Sequence, residues 1–241
     1  MLIDSIRNTI FQNNCVLKWA VSYHRLLAYL GGVSMAEIYK TLREYAETEY
    51  IIKKSKFFSY SKPVTTEQEA QEFIASIKQK HWDATHNVYA YCLRTGNIKR
   101  YSDDGEPQGT AGMPTLNVLT QEEITDCVVV VTRYFGGVLL GGGGLVRAYS
   151  HSAKLGVDAS GVITLMPWKI FKVTVDYTFY NKMDSLIRDS GGVVINSDFG
   201  ENVTLEFRIK NEVREDLFKN CADLTNGKVT PKECGEVIAE G

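Results

Sequence analysis

Three groups of residues have the types and spacing to do chemistry. The first is Ser102-Asp103-Asp104-Gly105-Glu106-Pro107, which places three carboxylates within four positions. Oxygen donors at that density could hold Mg²⁺. A Ca²⁺ loop does not fit, because Arg100 stands where its first acidic ligand belongs. The same residues also make an ordinary Asp-Asp-Gly turn before proline. The more economical expectation pairs these acids with Arg100, Arg133 or Arg147 around one cleft.

The second group is the glycine cluster. Arg133-Tyr134-Phe135-Gly136-Gly137 is followed by Leu140-Gly141-Gly142-Gly143-Gly144-Leu145-Val146-Arg147. Neither nucleotide fingerprint fits. No G-x-G-x-x-G spacing occurs, and Leu145 stands where a P-loop needs lysine after its last glycine. What remains is a run of bare amides before a helix, suited to an anion. The alternative is close helix–strand packing with a sharp turn.

The third group is basic and aromatic: Lys53, Lys54, Lys56, Phe57, Phe58 and Tyr60, with Lys99, Arg100, Tyr101, Arg133 and Tyr134 elsewhere. On a strand, Lys54, Lys56 and Phe58 share one face. Cations for phosphates beside rings for bases suit single-stranded nucleic acid or RNA. A charge run also suits a solvated face. A His86–Cys92 nucleophile fails on distance: six residues along a strand span roughly 20 Å. No G-x-S-x-G or H-E-x-x-H motif occurs, and Ser150 and His151, adjacent on a helix, do not face each other.

The elements that must position these residues follow from periodicity. Tyr50 to Val64 reads as a strand pair. Thr66 and Glu69 form a capping box before Ala70, Phe73, Ile74 and Ile77 at helical spacing. Asn87 to Leu93 is a strand, Lys99 to Gly109 a polar loop, and Thr110 to Glu122 partly helical. Asp126 to Tyr134 is a strand whose unbroken valines imply burial on both faces. Gly144 to Asp158 is a helix. The pattern restarts near Gly161 to Pro167, giving a first domain at 35–163 and a second at 164–241. The second reads strand, helix, hairpin, helix, strand, the βαββαβ pattern of ferredoxin-like domains.

The chain has 241 residues, a 44% apolar fraction and a net charge of −2, so a generally basic nucleic-acid binder is not indicated. Cys15, Cys92, Cys127, Cys221 and Cys234 are odd in number and form no C-x-x-C, which favours reduced cytosolic thiols over zinc. No apolar run is long enough for a membrane span. Residues 1–34 are expected to be an extension outside the main fold, either from an upstream start codon or as an amphipathic helix packed on the domain.

Taken together, the motifs resemble those of the YigZ/IMPACT family. The matching words are Ala84-Thr85-His86, Ala90-Tyr91, Ser102 to Pro107 with Gly109-Thr110-Ala111-Gly112, Val130 to Gly137, Leu140-Gly141 and Gly143 to Tyr149. The resemblance covers about Met35 to Gly241 and implies an α+β protein of two domains. The first is similar to a domain shared by a small-subunit ribosomal protein and elongation factor G; the second is ferredoxin-like. It also implies a role in translational regulation. The added N-terminal domain of eukaryotic members, which contacts the activator of a starvation-responsive kinase, does not fit before Met35, so that partner is not carried over. The bacterial two-domain branch is the better match. The resemblance implies no catalytic residues.

The expectation is therefore a cytoplasmic protein that binds RNA, the ribosome or a translation factor, with no cofactor, no metal and no membrane. Its contact residues are Lys54, Lys56, Arg100, Arg133, Tyr134, Gly136, Gly137, Gly143, Gly144 and Arg147, with Asp103, Asp104 and Glu106 orienting the arginines and His86 in the family motif. One alternative is a metal-assisted phosphoester hydrolase using Asp103, Asp104, Glu106 and His86. The other is a structural module in which the same residues only shape turns.

Overall fold

The computed structural model describes Ile38–Gly241. The extension expected over residues 1–34 lies outside the described residues.

The strand pair expected from Tyr50 onward is a hairpin of β2 (Ala46–Ile52) and β3 (Ser55–Pro63). Its two-residue turn is Lys53-Lys54, both left-handed, with φ of 46° and 65°. That pair of angles is what lets a short turn follow the twist of its strands, and Asn-Gly is the usual sequence there. Lys54 therefore sits in the turn and does not share a strand face with Lys56 and Phe58.

The hairpin continues into helix α1 (Glu67–Lys80). Thr66 caps it by accepting from the Glu69 N–H at 3.1 Å. The Glu69 carboxylate reaches back to the Thr65 N–H at 2.7 Å, one residue earlier than a standard capping box. Strand β4 (His86–Leu93) follows, then β5 (Ile98–Ser102), helix α2 (Gly112–Gln121), strand β6 (Cys127–Tyr134) and helix α3 (Gly142–Ser160). Strand β5 occupies part of the expected polar loop. It is an edge strand of Lys, Arg and Tyr, so no apolar alternation betrays it.

These strands form one antiparallel sheet in the order β2-β3-β6-β4-β5. The valines of β6 are buried on both sides, because the sheet is covered twice. Helices α2 and α3 lie on one face, packing Leu116, Leu119, Tyr149 and Val157 against Phe57, Val88, Val129 and Val131. Helix α1 lies on the other, packing Ala70, Ile74 and Ile77 against Tyr60, Tyr91, Val128 and Val130. Alternation along β6 decides which neighbour each residue meets.

The second sheet is built on β7 (Val162–Val175), with α4 (Tyr177–Asp189), β8 (Val193–Phe199), β9 (Val203–Ile209), α5 (Arg214–Leu224) and β10 (Lys232–Glu240). Strand β7 pairs with β9 and β10, and β8 pairs with β9, all antiparallel. This is the ferredoxin-like βαββαβ arrangement, with Phe171, Met183, Ile187, Phe207 and Leu217 in its core. Strand β7 runs unbroken through the 163/164 position. Its first residues pair with β1 (Tyr39–Leu42), whose Leu42 packs into the first core.

Thr66→Ala removes the acceptor that starts α1 and is expected to cost about 1 kcal/mol. The measurement is urea unfolding, with a lower midpoint at an unchanged slope.

Candidate functional site

Strand β6 ends in Arg133-Tyr134, whose side chains leave by opposite faces of the sheet. Arg133 turns toward α3. Its guanidinium donates to Glu106 Oε1 at 2.6 Å, and the same oxygen accepts the Tyr149 hydroxyl at 2.8 Å. Arg133 is 5% exposed and Glu106 7%, so the pair is sealed from water. The Tyr149 hydroxyl is pushed far up from its usual range, first by burial and then by the Glu106 charge. His86 is the cross-strand neighbour of Arg133. Its Nδ1 lies 2.8 Å from the Asp104 carbonyl, which can only accept, so that nitrogen carries the proton. Its Nε2 stands 3.7 Å from Glu106.

The three carboxylates do not converge. Asp103 accepts from the N–H groups of Gly109, Ala111 and Gly112 at 2.8, 3.1 and 2.7 Å, closing the loop and starting α2, whose Ala111 cap position has no side-chain acceptor. Asp104 accepts from Lys78 and from the Asn87 N–H, both at 2.6 Å, tying α1 and β4 to the loop. Among the described residues, Glu106 is the one of the three that meets an arginine. Among the described residues no cluster of three His, Cys, Asp or Glu side chains could hold a metal ion. The hydrolase alternative therefore loses its ligand set: each acid is already held by a different part of the fold.

Arg100 is corrected in the same way. Through Tyr91 and Val128 its register places it on the α1 face, opposite Arg133, where its side chain is exposed and bonds the Lys99 carbonyl. A single pocket lined by Arg100 and Arg133 does not form, because a period of two along paired strands fixes their sides. Tyr134 also faces α1. Its hydroxyl lies 2.9 Å from His81 Nδ1 and donates to Asp83 at 2.9 Å. His81 Nε2 in turn meets the Tyr60 hydroxyl. The Tyr60 hydroxyl also donates to Glu47 Oε1 at 3.2 Å. Burial, then the Lys80 charge, lowers the His81 pKa.

What the fold does bring together is the end of the sheet around the β2–β3 turn. Gly136 lies flat on the Lys54-Ser55 peptide; a Cβ there would sit 2.0 Å from the Lys54 carbonyl carbon. The Gly136 N–H donates to Ser55 Oγ at 3.2 Å, and the Phe135 N–H to Thr85 Oγ1 at 3.1 Å. Three loops are thereby fastened side by side. Lys53, Lys54 and Lys56 project there, while Arg147 lies in the second turn of α3, beside Gly143. All four are exposed, and none forms an ion pair with another described residue. No side chain caps α3, whose first turn is Gly142-Gly143-Gly144.

Sequence reasoning missed three exposed apolar residues of the loops at this end of the sheet: Trp82 (84% exposed), Phe135 (45%) and Leu139 (82%). Phe135 before the first glycine run, and Val138 to Leu140 between the two runs, were the available signal; Trp82 had none.

Replacing Glu106 by Gln leaves a buried guanidinium without its counter-charge and should cost about 3–5 kcal/mol in thermal or urea unfolding. Adding Arg133→Met to that variant should cost less than the sum of the two single changes; strict additivity would contradict the pair. His81 has a lowered folded pKa, so its contribution is present above the ordinary histidine value of 6.5 and lost as pH falls below it. His81→Phe should flatten the stability profile in that range, and an unchanged slope would show that another group titrates.

Comparison with known proteins matches this architecture. The Impact N-terminal domain model matches residues 53–157, and a domain of unknown function, DUF1949, matches residues 173–228. IMPACT family member YvyE of Bacillus subtilis is 42% identical over 200 residues, covering 83% of this chain and 92% of that protein. IMPACT family member YigZ of Escherichia coli is 30% identical over 181 residues, covering 74% and 89%. Protein IMPACT of Bos taurus is 32% identical over 93 residues, covering 37% of this chain and 29% of that protein. A solved structure described as a hypothetical protein aligns with a TM-score of 0.52 at 27% identity, over 83% of this chain and 98% of its own. No helix among the described residues is long and apolar enough to cross a membrane. The chain belongs to the IMPACT family.

Proposed function

We propose that this protein binds structured RNA of the translation machinery, in the cytoplasm, through the loop end of its first sheet. The supporting observation is the Lys53-Lys54 turn. Both residues adopt left-handed angles that Asn and Gly take at little cost. Non-glycine residues in that region typically cost on the order of 1–3 kcal/mol each. The fold bears that strain and holds out from the sheet two ammonium groups that form no ion pair with another described residue. Arg147 extends the positive field at the bare first turn of α3, Lys56, paired with Tyr134, extends it on the α1 side, and Trp82 and Phe135 offer faces to bases. Net charge is −2, so the basic character is local to this end of the first domain. The link to translation comes from the family resemblance.

Arg133 and Glu106 support this reading indirectly. Their buried pair fixes the loop that carries Phe135 and Gly136 and offers no charge to a ligand. Gly136 and Gly137 act through loop shape, and Gly143 and Gly144 through their amides.

The test uses ribosomal subunits and a fragment of ribosomal RNA, with binding followed by co-sedimentation and fluorescence anisotropy. Affinity should fall steeply with salt, and Lys54→Glu and Arg147→Glu should each weaken it and lower the salt slope by about 1. Arg100→Glu, on the other face, should leave it unchanged. The double change Lys53→Asn with Lys54→Gly should stabilise the fold while weakening binding, because it relaxes the turn and removes both charges. Absence of binding at low salt, or equal loss with Arg100→Glu, would reject the assignment of this face.

A further inference from the structure

The β6–α3 loop is fastened at both ends and free between them. Gly136 is held on the Lys54-Ser55 peptide, and Leu140 packs on the first core with its Cβ against Gly144. Gly137 and Gly141 bracket the intervening residues with φ of 81° and 73°, and a Cβ at either would meet nothing within 4 Å. Between them stand Val138, 41% exposed, and Leu139, 82% exposed. Two adjacent aliphatic side chains are thus lifted into water on a short strut whose feet are rigid. Nothing in the first core requires this, since Leu140 already fills the inward position. The backbone of Lys54, whose side chain is exposed, lies under one foot, and the Arg147 guanidinium lies by Gly143 near the other. An apolar tip flanked by Lys54 and Arg147, neither ion-paired with another described residue, is complementary to a surface with phosphates outside and stacked apolar faces within.

We infer that Val138 and Leu139 form a wedge that enters a base step of bound RNA while Lys54 and Arg147 hold the flanking phosphates. The inference rests on the proposed RNA-binding face and adds the residues that deform the ligand. Aliphatic wedges between base steps are an established way to unstack and kink a helix, because packing of the side chain on the bases offsets the stacking that is lost. For that reason Leu139 should govern deformation more than affinity. The step entered should be one already weakened, next to a bulge or mismatch, where unstacking costs least. A protein partner with an acidic-rimmed apolar groove is the competing occupant.

The experiment uses the full-length protein and an RNA hairpin carrying 2-aminopurine beside a single-nucleotide bulge. Binding is read by anisotropy and unstacking by 2-aminopurine fluorescence. The native protein should raise the fluorescence on saturation. Leu139→Ala and Leu139→Ser should abolish the rise, while affinity changes by about tenfold or less and keeps its salt dependence. Leu139 is exposed, so an unchanged melting curve is expected for both variants and checks that the fold is intact. Binding of the native protein without a fluorescence rise would overturn the wedge and leave the RNA-binding face standing. No binding at low salt would remove both. A rise that survives in both variants would overturn the assignment to Leu139. Loss of ribosome co-sedimentation in Leu139→Ala without any effect on the hairpin would assign the tip to a protein partner and overturn the wedge.

Discussion

A buried guanidinium survives only where its charge is matched, and among the described residues Glu106 is the carboxylate that matches Arg133. The pair joins the end of the central strand β6 to the loop before α2, and the Tyr149 hydroxyl joins both to α3. Three segments distant in sequence therefore share one carboxylate oxygen. Such a pair contributes little net stability compared with apolar residues, but breaking it strands a charge. Its structural effect is to fix where β6 ends and where the glycine loop begins.

The neighbouring acids extend that constraint. Asp103 gathers three main-chain N–H groups, and Asp104 bridges Lys78 and the Asn87 amide. A cluster that looks like a metal site in one dimension is taken up by backbone donors and cations in three. Because the loop is so tightly held, the surface beside it can carry features that a loose loop could not: a left-handed lysine turn, an uncapped helix start and an exposed Leu139. The rigid frame and the strained surface are two parts of one arrangement.

The two sheets are joined by chain, by packing and by charge. Strand β1 pairs with β7 of the second sheet yet buries Leu42 in the first core, and Lys40 of β1 forms an ion pair with Glu123, just after α2. Pro63 closes β3 and Gly161 ends α3, whereas Pro167 lies inside β7 without interrupting it.

The sequence by itself determined the order and type of most elements. Periodicity of 3.6 or 2 is a local property, as in the α1 cap at Thr66, the doubly buried valines of β6 and the βαββαβ run of the second domain. It also carried the family, because the motifs are long and ordered. It could not supply β5, whose polar edge position has no periodic mark, or the continuity of β7. Above all, it could not decide which charged residues meet. Arg100, Arg133, Asp103, Asp104 and Glu106 look like one group along the chain. Strand register and alternation send Arg100 and Arg133 to opposite faces and give each carboxylate a different partner. That choice is made by pairing between distant strands, which no local pattern encodes.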